Sequence, residues 1–164
     1  MRIEEPEAGA WPDKRRWAAA SHFVLMGSAC VISGGLVAAI TAPAASEQSS
    51  WSAAYLVLVG GVAQIGLGLG SAVLAPRIPS RASRIGILAL WNSGNAAVLA
   101  GVLMNLNMLV AAGGIALVIT LVLALRTIRH STGPALLRRA YWLLATILGV
   151  SIPTGLALAR LGGN

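Results

Sequence analysis

Five long runs of apolar residues, at 18–41, 51–75, 85–104, 108–125 and 136–160, are separated by short stretches that hold most of the charge in the chain. Each run approaches the roughly 20 residues an α-helix needs to cross a bilayer, within a working range of about 17 to 25. In hydrocarbon every backbone N–H and C=O must be satisfied within the segment, so runs of this kind predict helices. The alternation of apolar and polar residues that marks a transmembrane barrel is absent. The expected fold class is an all-α integral membrane protein of five transmembrane helices, with the fourth run the shortest and the least tilted. Residues 1–16 carry Glu4, Glu5, Glu7, Asp13 and two prolines without apolar periodicity, and read as a disordered cytoplasmic arm before a five-helix domain over 17–164.

The charges orient these helices. Arg2, Lys14, Arg15 and Arg16 precede the first run, Arg77, Arg81 and Arg84 link the second to the third, and Arg126, Arg129, Arg138 and Arg139 surround the link between the fourth and fifth. Threaded in order, those eleven basic residues share one side, against Arg160 on the other. The positive-inside rule then predicts a cytoplasmic N-terminus, an external C-terminus and a multi-pass protein of the inner (plasma) membrane. Trp17, Tyr141 and Trp142 fall near the predicted inner interface, Trp51 and Tyr55 near the outer one, as an aromatic belt requires. A cleavable leader is the competing reading of the start, because Ala42-Pro43-Ala44 fits a small-residue cleavage site. The first run has 24 residues, however, against about 7 to 15 for a leader's apolar core, and reads as a retained helix.

Composition agrees: 57% of the 164 residues are hydrophobic and 10% charged, with mean hydropathy +0.78, whereas soluble domains carry about 25% charged residues. A net charge of +7 raises nucleic acid as a partner. The basic residues flank apolar runs, which the positive-inside rule explains, so none is expected. The lipid bilayer and a homo-oligomer or larger membrane complex are the expected partners.

No Asp, Glu, Lys or Arg lies in the interior of a run, away from its ends, although pumps and ion-coupled transporters place ionisable groups there. Paired carboxylates, a Ser/His/Asp set, HExxH and a phosphate-binding glycine loop are also missing, so no catalytic residue and no metal site are assigned and the chain is read as non-enzymatic. Cys30, the single cysteine, reads as a small packing residue.

The polar residues that remain are few. Gln64 lies near the middle of the second run with Gly60 and Gly68 four residues to either side, and Asn92 and Asn95 share a face of the third. Antiparallel neighbours would bring the three amides together, as interhelical hydrogen-bonding glue or as a pocket for a quinone head group, a haem edge or a small solute. Gly60, Gly61, Gly66, Gly68 and Gly70 crowd the second run, with Gly66 and Gly70 forming a GxxxG step; Gly34-Gly35 and Gly113-Gly114 add contact points. Pro153 predicts a kink in the fifth helix, with Ser151 and Thr154 near the freed groups. His22 and His130, both toward the cytoplasmic side, are the two candidate axial ligands for a haem; otherwise no cofactor is expected.

From Tyr55 to Arg129 the chain contains YLVLVGGVAQIGLGLGSAVLAPRIPSR, then LALWNSGNAAVLAGVL, then GGIALVITLVLALRTIR. This pattern resembles a run of helices in the catalytic subunit of haem–copper oxidases and nitric oxide reductases, and small membrane proteins of the nitric-oxide-response type. The family's paired histidines would fall near Tyr55 to Val59, where this chain has none. The resemblance therefore implies a ligand-less relative in a structural or accessory role. The expected function is a non-enzymatic accessory or scaffold subunit packing through glycine-rich faces. A haem- or quinone-binding electron-transfer protein and an oligomeric small-solute transporter or channel are its rivals.

Overall fold

A computed structural model describes residues 14–131 and 133–161, with side chains through Ser151. Residues 1–13, which hold most of the expected arm, lie outside the described residues, as do the side chains of Pro153, Thr154 and Arg160. Every regular element among the described residues is helical. The helices are α1 (Lys14–Thr41), α2 (Glu47–Leu74), α3 (Arg81–Leu103), α4 (Asn107–Ile128) and α5 (Ala135–Leu161). Four of them, α1 to α4, are long and apolar enough to cross a membrane. The 27 residues of α5 span about 40 Å, also sufficient in length, and the helix continues past Pro153.

Helix boundaries depart from the apolar runs where polar residues begin a helix. Lys14, Arg15 and Arg16 are helical as part of α1, where the expected arm over 1–16 has them irregular. Arg16 turns to the neighbouring helix end, where Nη1 donates to the carbonyls of Ala72 (3.1 Å) and Ala75 (2.7 Å) and Nη2 to that of Pro76 (3.3 Å). These carbonyls close α2 and lack intrahelical donors, so one side chain caps α2 and ties it to α1.

α2 begins at Glu47, four residues before the apolar run. Ser46 Oγ accepts from the Ser49 N–H at 3.1 Å while Ser49 Oγ accepts from the Ser46 N–H at 2.9 Å. This capping box and the acidic Glu47 in the first turn both favour a helix start there. Between Leu56 and Ala63 the helix is wound as a π-helix, with i→i+5 bonding and more residues per turn.

α3 and α4 form a tight hairpin closed by a Schellman arrangement. Leu106 N–H donates to Gly101 O (2.7 Å) and Asn105 N–H to Val102 O (3.3 Å), with Asn105 at φ 56°. Asn tolerates this left-handed conformation and β-branched residues do not. Asn105→Val is expected to cost about 1–2 kcal/mol in an unfolding titration, and Asn105→Gly to be neutral or mildly stabilising.

The helices pack unequally. α1 lies along α2 in the most extensive contact, α3 and α4 form the next, and α5 touches α4 and α2, whereas α1 meets α3 only sparsely. Trp91, Leu117, Leu121, Leu67, Tyr141 and Ile128 fill the core where α2 to α5 meet. α1 is peripheral: its buried residues are Ala20, Gly27 and Gly34, spaced by seven, a single narrow seam. Leu25, Ile40, Met108 and Leu136 are 70–87% exposed. Large apolar side chains on the outside in such numbers fit a lipid-facing surface.

Candidate functional site

Glycines set the helix crossings. A Cβ built on Gly27 would stand 2.9 Å from Gly61 O, and one on Gly61 would stand 3.0 Å from Gly27 O, so α1 and α2 cross backbone to backbone. Gly94 and Gly113 repeat this between α3 and α4, at 3.1 and 2.6 Å from each other's carbonyl oxygen. Such closeness is available only without a side chain, and brings Cα–H groups to carbonyl oxygens. The expected packing glycines of α2 divide between two neighbours. Gly60 lies against Cys30 and Gly68 against Phe23, both on α1; Gly66 meets Leu144 and Gly70 the ring of Tyr141, both on α5. Of the pair Gly34-Gly35, Gly34 meets Ala53 and Val57 of α2 while Gly35 has open space. Gly113 takes part in a crossing as expected; its partner Gly94 and the α1 glycine Gly27 stand alone in sequence and carry no doublet to mark them.

The three interior amides are not hydrogen-bonded to one another. Asn92 Nδ2 donates to Leu88 O (2.8 Å) on its own helix. Asn95 Nδ2 donates to Trp91 O (2.9 Å), and its Oδ1 accepts from the Tyr55 hydroxyl at 2.8 Å. The Tyr55–Asn95 bond links α2 to α3. It gives Tyr55, placed in an aromatic belt by sequence, an inward role, and Trp51 stacks on the same ring at a centroid distance of 5.0 Å. Gln64 is different: it is 0% exposed, and neither its Oε1 nor its Nε2 has a hydrogen-bond partner. The buried indole Nε1 of Trp91 is likewise unpartnered. The expected grouping of Gly60, Gln64 and Gly68 on one face assumed α-helical spacing, and Gly60 lies inside the π-wound segment.

Tyr141 also departs from its expected place at the interface. It is buried, occupying the space that Gly70 leaves open, with its hydroxyl 3.5 Å from Ser71 Oγ. Trp17 and Trp142 remain on the outside.

The two histidines are not brought to a common cavity. His22 lines an open groove of about 320 Å³ between α1 and α3, beside Arg15, Arg81 and Arg84. His130 is exposed in the turn after α4, whose helix has no substantial contact with α1. Among the described residues no group of three His, Cys, Asp or Glu is placed to hold a metal ion. A smaller cavity of about 40 Å³ shares Phe23 and Arg84 with the groove and reaches Leu67, Ser71 and Thr127. It has room for water but not for a quinone ring or a haem.

Comparison of the chain with protein-family models, with curated proteins and with solved structures finds no match.

Proposed function

We propose that this chain is a five-span protein of the inner (plasma) membrane, N-terminus in the cytoplasm and C-terminus outside. It serves as a non-enzymatic accessory or scaffold subunit within a homo-oligomer or a larger membrane complex. The orientation is supported by Lys14, Arg15 and Arg16 on α1, Arg81 and Arg84 opening α3, Arg138 and Arg139 near the start of α5, and Arg126 ending α4. The Arg16 cap on α2 joins alternate helix ends at one face of the bundle. The fifth crossing is supported by the length of α5 and its packing on α2 and α4.

One observation carries the accessory reading: the interior asparagines are engaged by backbone and by Tyr55, as packing groups are. The glycine faces of α2 are occupied by α1 and α5. A partner would therefore meet the outer faces, among them the stretch of α1 around the open Gly35, where Ile32 and Leu36 are exposed.

The test is isolation of the full chain, tagged at an externally accessible C-terminus, from membranes in mild detergent. The expected result is a stable assembly larger than one copy that Gly35→Trp dissociates while leaving the monomer's melting temperature unchanged. A lone monomer, or an assembly indifferent to that substitution, counts against the reading.

A further inference from the structure

The groove between α1 and α3 combines features that the accessory role leaves unused. Its walls carry Arg15, Arg81, Arg84 and His22. Among the described residues no carboxylate lines it, and the single acidic one, Glu47, begins α2 at the opposite end from Arg16's bonds. Arg84 reaches from the groove into the smaller cavity, and its Nε, buried, has no hydrogen-bond partner. A buried N–H on a cationic group without an acceptor is costly, and a guanidinium's fork of donors matches a phosphate. Below the charges the walls turn apolar at Phe23, Ile85 and Leu88, and Ile85 is half exposed on the side expected to face lipid.

We propose that this groove binds the phosphate headgroup of an anionic phospholipid, with the first part of an acyl chain along Phe23, Ile85 and Leu88. The volume of about 320 Å³ suits a headgroup and its glycerol rather than a whole lipid. Basic pockets between transmembrane helices on the cytoplasmic side are where anionic headgroups bind. A free inorganic anion would use the arginines but not the apolar wall. The sparse contact between α1 and α3 keeps the groove open along its length.

This inference rests on the chain spanning a membrane. A protein recovered without detergent would fail that premise before any lipid is counted. The full chain, purified in mild detergent, is mixed with equimolar phosphatidylglycerol and phosphatidylcholine and examined by native mass spectrometry. One phosphatidylglycerol is expected to be retained in strong preference. Arg81→Gln with Arg84→Gln is expected to weaken that preference by about 30-fold. Arg126→Gln with Arg129→Gln removes equal charge from another loop of the same face and is expected to leave the preference intact. Arg81→Gln alone, at an exposed position, gives a smaller loss without risk to the fold. Equal loss in both double variants, no preference in the wild type, no change in either Arg81 variant, or full displacement of the lipid by millimolar inorganic phosphate would each overturn the proposal.

Discussion

Gly113→Ala will separate α3 from α4 and lower the stability of the protein by about 2–3 kcal/mol, the upper part of the usual range for overpacking. The added Cβ would stand 2.6 Å from Gly94 O and 2.8 Å from Val98 N. Both are backbone atoms of a helix and cannot rotate aside as a side chain would, so the helices themselves must move. That motion loosens the packing of Leu117 beside Gly94, within the α3–α4 contact. Reversible denaturation in mixed micelles measures the effect. Gly35→Ala is the control: its Cβ meets nothing within 4 Å and should change stability by less than about 0.5 kcal/mol. Equal stability of the two variants would mean that the Gly94–Gly113 crossing is wider than described.

Gln64→Met is expected to stabilise the protein by about 1–2 kcal/mol. The substitution keeps an unbranched side chain of similar size and removes an amide whose two polar ends are buried without partners. Such a group carries a desolvation penalty of about 1–3 kcal/mol that methionine does not. Gln64→Glu should act in the other direction, because a carboxylate at this depth costs about 2.5–3.5 kcal/mol even where membranes adapt. Unfolding of both variants in the same micelles decides the matter. A destabilised Gln64→Met would show that the amide bonds something in the native membrane, and would move the quinone- or haem-binding rival ahead of the accessory reading.

The apolar runs made the helices legible because hydrocarbon imposes its length and backbone rules on sequence directly. The α3–α4 turn fell within one or two residues of its expected place, since Asn105 interrupts the apolar pattern where the chain must take a positive φ. Polar helix starts were not legible in the same way. Glu47-Gln48-Ser49-Ser50 looks like a loop by hydropathy and becomes a helix through a capping box. The interior was readable in kind but not in pairing. Gln64, Asn92 and Asn95 stood out as polar residues in apolar runs, yet their partners depend on helix rotation, and the π-wound segment of α2 alters that rotation in a way α-helical counting misses. Tyr55 and Tyr141 illustrate the same limit. Their positions fit an interfacial belt, and only the neighbours Asn95 and Gly70 turn them inward. The basic groove is not legible in the sequence, because Arg15 and His22 are distant from Arg81 and Arg84 and topology alone accounts for the arginines.

The bonds from Arg16 to the last carbonyls of α2 bear on how the first hairpin finds its depth. Along the seam of Ala20, Gly27 and Gly34 the register is already marked by the close approach of Gly27 to Gly61 and of Phe23 to Gly68. A slip of one turn, about 5.4 Å, would carry the guanidinium out of reach of Ala72, Ala75 and Pro76 together. Arg16 thus acts as an end-stop, holding at the helix ends the same vertical offset that the glycine crossings hold along the seam.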